Sequence, residues 1–339
     1  MSDRSKIEWT DASWNPLRAK NPDTGKLGHH CVKISPACAH CYAASMNKRL
    51  GTGLDYSSNS RAETFLDAKV LDKPLHWKRP RRIFVCSMTD LFGEWVESGD
   101  IANVFATMYE CQWHTFQVLT KRAERLNLLA NPRMTYAIAC FVWERLKQRD
   151  PHKATYLTLG DIERDILAMW PLPNVQIGVT VENQQYADER IPWLLKCPAA
   201  VRFVSFEPLL GLIDATKWLY SDYDRAAMDE QLLTPLGGFT HSKIGWAIVG
   251  GESGPQARPM QPDWARSLRD QCEDPGVPFF FKQWGEWLPA GQDGARIGDD
   301  QILNCSDDAE RVGKKKAGRL LDGREWNEFP TAAEAAVTS

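Results

Sequence analysis

Long apolar runs are missing from this sequence. No stretch reaches the ~18 apolar residues of a membrane span. The opening MSDRSKIEWTDASWNP holds no apolar block of the kind that directs secretion. These absences predict a soluble, cytoplasmic protein with no membrane partner. A strong charge of either sign is missing too: 41 basic against 44 acidic residues leave −3. That balance demands neither nucleic acid nor an acidic surface as a partner. Paired cysteine knuckles are also lacking. Nine cysteines, an odd number without a secretion signal, argue against a disulfide framework.

The chain does have the means to build a large core. It runs to 339 residues at 43% hydrophobic, enough for one α/β domain with insertions. Six segments read as short buried strands: 81–88, 115–120, 175–181, 201–206, 244–250 and 277–281. Each is β-branched or aromatic without strict alternation, as in parallel strands covered on both faces. KIEWTDASW (6–14) is a weaker candidate for a first strand. Helical patterns at 43–50, 100–112, 183–197 and 261–276 lie between them. The last begins near Pro262 and ends near Gly276, which suits helix boundaries. Alternation of this kind implies right-handed βαβ units. The expected fold is α/β, a full or partial (β/α) barrel over 1–285. A helical insertion at about 127–170 and a mixed polar one at about 214–243 interrupt it. Residues 286–339 read as a C-terminal extension or lid.

Polar residues follow every strand. They are Ser87 and Asp90, then Lys121 and Arg122, Glu182, Glu207, Gly250–Gly251–Glu252, and Lys282. In a parallel barrel all these C-terminal ends share the face where active sites sit. Any one of them has a bland reading as a turn or a solvated helix start. Their recurrence, beside a cysteine loop on the same face, predicts a pocket.

That loop is CVKISPACAHCYA, with Cys31, Cys38 and Cys41 in C-x6-C-x2-C spacing. Three thiolates can hold an iron–sulfur cluster and leave one iron open to an outside ligand. Zinc with a histidine as fourth ligand is the rival, and His29, His30 and His40 are near enough in sequence. In the zinc reading the protein is a non-catalytic binding protein pinned by its metal. A hydrolase using Asp90, Glu182, Glu207 and Glu252 ranks last, for want of histidines at the strand ends. The six scattered cysteines, Cys86, Cys111, Cys140, Cys197, Cys272 and Cys305, read as small buried hydrophobes.

The runs IEWTDASWNP, CVKISPACAHCYA, SMTDLF, LTKRAERL, FVSFEPLL, VGGESGPQARPM, PFFFKQWG and GRLLDGREWNEFP together resemble an uncharacterised family of phage and bacterial three-Cys-motif proteins. That family is similar to radical S-adenosylmethionine enzymes, which have a partial (β/α) barrel and a [4Fe–4S] cluster. The resemblance implies that Cys31, Cys38 and Cys41 are the cluster ligands and that S-adenosylmethionine binds the open iron. It implies a 5′-deoxyadenosyl radical acting on an unknown substrate. Tyr42 matches the aromatic residue near the adenine. Ser87 and Asp90 become candidates for the cofactor's amino group, and Glu182 and Glu207 for its ribose or ammonium. Gly250, Gly251 and Glu252 form a cofactor-binding run, while Lys121, Glu207 and Lys282 are candidates for catalysis. Two features depart from the superfamily pattern. Six residues rather than three lie between the first two cysteines, and the Gly-Gly-Glu run follows the sixth strand rather than the second. The basic runs WKRPRR (77–82) and KKK (314–316) suit nucleic acid, or equally a solvated surface.

Overall fold

The computed structural model describes residues 5–221, 243–292 and 309–331. Its strands are β1 (Ala12–Trp14), β2 (Leu17–Lys20), β3 (Leu27–Gly28), β4 (Glu63–Leu66), β5 (Arg82–Val85) and β6 (Thr115–Thr120). They continue with β7 (Val175–Thr180), β8 (Val201–Phe206), β9 (Trp246–Gly250), β10 (Phe279–Gln283), β11 (Trp287–Pro289) and β12 (Ala309–Arg311). Seven of them form one sheet in the order β1-β5-β6-β7-β8-β9-β10, parallel throughout. The sheet curls into a half-barrel, so the architecture is a partial β/α barrel.

Helices α1 (Tyr42–Arg49), α2 (Ala68–Leu71), α3 (Ser98–Glu110), α4 (Pro132–Arg149) and α5 (Leu159–Met169) come before β7. After it come α6 (Gln184–Lys196), α7 (Thr216–Leu219), α8 (Pro262–Glu273) and α9 (Lys314–Ala317). The expected insertion at 127–170 is α4 and α5. Asn131 caps α4 by accepting from Arg133 N at 2.9 Å, and Pro132 opens it. Thr158 and Asp161 cap α5 reciprocally. Most of the insertion expected at 214–243, and residues 293–308 of the tail, lie outside the described residues.

Strand residues alternate between two cores. Ile83, Val85, Val118, Val179, Val204 and Val249 point outward into the layer shared with the helices. Trp9, Val201, Phe203, Trp246, Ile248 and Phe280 fill the inside. The inner plug is aromatic, with Trp9 and Phe84 ring centroids 4.7 Å apart and Trp246 5.4 Å from Phe329. The tail pairs Asn327 antiparallel with Phe280 on the open edge of β10 and delivers Phe329 into the interior. An exposed sheet edge is thereby covered. The extension therefore works at both ends: Lys314 sits at the mouth, whereas Phe329 closes the base.

Some boundaries differ from expectation. The 81–88 segment stops being strand at Val85, because Cys86 adopts φ 55 and turns the chain. The 277–281 strand is displaced to β10, and only Ala12–Trp14 of 6–14 is strand. The polar RAKNPDTGKL run forms part of a second sheet, β3-β2-β4. Cys86, Cys111, Cys197 and Cys272 are buried as expected, while Cys140 is half-buried. Cys305 lies outside the described residues. Among the described residues no helix is long and apolar enough to cross a membrane.

Candidate functional site

The C-terminal ends of the strands open on a cavity of 430 Å³, and all three clustered cysteines line it. Cys38 ends a short 3-10 turn, and Cys41 stands at the N-cap of α1. No disulfide joins them. Burial pushes the Cys31 thiol up to about 12, with Asp90 adding to the rise and Arg122 opposing it. Burial also resists ionisation of Cys38. There Lys121 and hydrogen bonds from Ile34 and Ser35 outweigh burial and lower the thiol. The two cysteines therefore differ in readiness to become thiolates.

Two arginines hold this loop. Arg122, almost fully buried, donates to Val32 O at 2.7 Å and comes within 3.8 Å of Cys31 Sγ. Its other contacts are Asp90 at 3.1 Å, Glu94 at 3.3 Å and the face of Trp95. Arg258 donates to Pro36 O at 3.0 Å while forking onto Glu252 at 2.7 and 2.8 Å. Burial alone would raise the Glu252 carboxyl, but hydrogen bonds from Arg258 outweigh it and lower the value. Each arginine thus joins a strand-end carboxylate to a carbonyl of the cysteine loop. Such paired, hydrogen-bonded charges hold a geometry that a single contact cannot.

A family model described as Protein of unknown function (DUF5131) matches residues 4–330. The chain belongs to this family. No curated protein matches it, and no solved structure does. The match in this DUF5131 member runs continuously from the N-terminal segment through the cysteine loop to the tail that seals the barrel.

The expected site residues are placed unequally. Ser87, Asp90, Lys121, Glu207, Gly251, Glu252 and Lys282 line the cavity with Tyr42. Tyr42 donates its hydroxyl to Ser87 O. Asp90 is fully engaged, accepting from Phe92 N at 3.0 Å, Thr120 Oγ1 at 2.7 Å and Lys121 N at 3.0 Å as well as from Arg122. Glu207 and Lys282 form an ion pair at 2.5 Å in the cavity wall. Gly250 stands behind that pair; a Cβ there would lie 3.3 Å from the Glu207 carboxyl. Gly251 permits a closer crossing, since its Cβ would fall 2.0 Å from Trp284 O.

Glu182 is not among the cavity-lining residues. It is fully buried and pairs with Arg190 at 3.0 Å, while Arg190 also donates to Thr180 O at 2.7 Å. Among the histidines, His40 lines the cavity. The ring of His29 faces Leu17 O at 3.2 Å, and burial lowers it to about 4.

Sequence reasoning passed over three residues. Asn15 holds the turn after β5 through Met88 N at 2.8 Å and Ser87 Oγ at 3.1 Å. Asn47, wholly buried, bonds both the N–H and C=O of His29, at 3.2 and 2.6 Å. Arg258 lies within the VGGESGPQARPM run, where nothing in the sequence marks its role. Asparagines and arginines that bond backbone leave no periodic signal. Only the WNP and QARP wording around Asn15 and Arg258 hinted at them.

Among the described residues, no group of three or more His, Cys, Asp or Glu side chains stands close enough to hold a single metal ion. The donor set itself fits a multi-iron group. Three soft thiols face one cavity, with Lys121 and Arg122 beside them to offset thiolate charge. A cubane presents three separate irons to three thiolates, so its ligands stand farther apart than those of one ion.

Proposed function

We propose that this protein is an iron–sulfur enzyme of the radical S-adenosylmethionine type, with Cys31, Cys38 and Cys41 as ligands of a [4Fe–4S] cluster. The observation that carries this reading is the arrival of all three cysteines on the cavity that the strand ends form. When bound, such a cluster with S-adenosylmethionine supplies a radical able to take hydrogen from a substrate.

The chain's own residues supply the rest. Arg122 and Arg258 hold the loop, so that the ligand spacing is set by the barrel rather than by a free segment. Tyr42 presents an exposed ring at the cavity wall, beside Ser87, as a stacking surface for the cofactor. The Glu207–Lys282 pair offers an acceptor and a donor that can hold hydroxyl or carboxylate groups. Lys121 has no such internal partner among the described residues and is the candidate for a ligand's negative group or for moving a proton. Asp90, Glu252 and the out-of-cavity Glu182 are engaged with arginines. Their role in this reading is to position other groups rather than to touch the cofactor directly. Gly250 and Gly251 keep the wall open beside the Glu207–Lys282 pair.

Zinc on the three cysteines and His40 is the second reading: His40 lines the same cavity, although these side chains do not stand close enough here to hold one ion. Metal analysis of anaerobically purified protein separates the two. Iron and sulfide with broad visible absorption, lost in a Cys31→Ala/Cys38→Ala/Cys41→Ala variant, are expected. Stoichiometric zinc without iron after reconstitution would overturn the proposal.

A further inference from the structure

The cavity is unevenly charged. Its carboxylates Asp90, Glu207 and Glu252 are each closed by an internal cation, Arg122, Lys282 and Arg258. Lys6 and Lys121 line it as well, and among the described residues neither ammonium has a hydrogen-bond or ion-pair partner, though Lys121 also acts on the Cys38 thiol. Lys314 reaches the cavity from α9 while touching Glu8 at 3.3 Å, and Lys315 and Lys316 are exposed beside it. A chain of net charge −3 thus gathers unpaired positive charge at one mouth. A low-dielectric cleft focuses that potential.

The lower wall of the same cavity is aromatic, with half-buried Phe84 at its surface backed by the buried ring of Trp9. Gln283 also lines it, buried, with its amide nitrogen on Ser253 at 2.9 Å and its oxygen without a protein partner. A buried acceptor left unpaired is costly unless a ligand or water donates to it. The other basic run is placed elsewhere. WKRPRR leads into the N-terminal end of β5, at the base of the barrel, where Arg82 stacks on Phe329 at 4.1 Å. Of the two basic runs, only KKK reaches the mouth, through Lys314.

We propose that the cavity binds a nucleotide-type ligand, with a flat base against the aromatic wall and its phosphate held by Lys6 and Lys121. Lys314 to Lys316 extend the phosphate track outward. The base and phosphate together answer the aromatic and cationic surfaces, as in single-strand binders. S-adenosylmethionine carries one carboxylate and no phosphate, so it leaves the outer lysines unanswered. The inference names the substrate class of the site assigned above, and rests on that reading only for the shared cavity.

The test is fluorescence anisotropy on the full-length protein. The probes are a short labelled single-stranded DNA, the matching RNA and a labelled nucleoside monophosphate. Binding is expected to be saturable, and for a strand log K should fall with log salt at roughly −0.7 per phosphate contacted. Lys121→Ala, and separately Lys6→Ala/Lys315→Ala/Lys316→Ala, should each weaken it about tenfold or more, at unchanged circular dichroism. Capture of the monophosphate assigns a free nucleotide as the source, and capture of oligonucleotides alone assigns a strand. No saturable binding, or binding indifferent to both variants, would overturn the proposal. The same titration on the triple cysteine variant isolates it from the iron–sulfur reading. Nucleotide binding kept there, with no cluster formed by the wild type, sinks the latter reading alone.

Discussion

Arg122 and Arg258 grip one loop from two different strands. Arg122, after β6, takes Val32 O at 2.7 Å, and Arg258, after β9, takes Pro36 O at 3.0 Å. Both are anchored by carboxylates, Asp90 and Glu252, that were expected to meet a cofactor. The pair is a clamp around the first two cysteines.

The clamp's two halves should not be worth the same. Arg122 and Asp90 are 4% and 8% exposed at the side chain, against 36% for Arg258. Arg122→Ala breaks a buried ion pair, leaving Asp90 to three uncharged donors, and should cost about 3–5 kcal/mol. Arg258→Ala leaves Glu252, itself only 5% exposed, with the residue-258 backbone N–H at 2.8 Å, and should cost less, about 1–3 kcal/mol. Urea unfolding gives the first comparison. Hydrogen exchange should show faster exchange of amides at 31–41 in both variants, and unchanged protection there would remove the clamp from the account.

How much of this was readable beforehand varies by residue. The strands β6 to β9 announce themselves through apolar runs bounded by polar ends, and the cysteine loop through spacing. The clamp does not, because Arg122 and Arg258 gain meaning only when strands 6 and 9 of the chain meet the same loop. Glu182 misled for the same reason. At a strand end, a carboxylate aimed into the cavity and one turned to Arg190 look alike in sequence. The cut at Val85 depends on the left-handed turn at Cys86, a conformation its residue type disfavours. Phe329 lies far from the barrel in sequence, so its place in the inner core is a purely tertiary fact.

Glu182 provides a second test. If it serves structure, Glu182→Ala should destabilise the protein by about 3–5 kcal/mol through the orphaned Arg190. The loss should appear in thermal or urea melts with no ligand added. A variant of wild-type stability would return Glu182 to the list of ligand contacts.

The two glycines of GGES should respond differently to alanine. At Gly250 the added methyl meets Glu207 and Lys282 side chains at 3.3 and 3.4 Å, which can shift. At Gly251 it meets the Trp284 carbonyl at 2.0 Å, and backbone must move. Gly250→Ala should cost under about 1.5 kcal/mol, while Gly251→Ala should reach or exceed about 3 kcal/mol. Equal effects in denaturant melts would contradict the close backbone crossing of Gly251 and Trp284.

Asp322 makes a pH-dependent tie. Burial opposes its ionisation, but hydrogen bonds from Arg266, Arg269 and Gln292 outweigh it and hold the carboxyl at about 2, against an ordinary 3.8. Because the folded value is the lower one, its stabilisation is full above about pH 4 and is lost as pH falls through about 2. Thermal melts between these limits should fall more steeply for the wild type than for Asp322→Asn. Parallel curves would show that the arginines do not depend on this charge.

The most direct test of the central claim is electron paramagnetic resonance of the anaerobically reconstituted, dithionite-reduced protein, recorded with and without S-adenosylmethionine. If the three cysteines hold a cluster, a [4Fe–4S]⁺ signal is expected that changes shape when S-adenosylmethionine is added and is absent from the Cys31→Ala/Cys38→Ala/Cys41→Ala variant. A reconstituted protein with no such signal, or a signal that survives loss of all three cysteines, would contradict it.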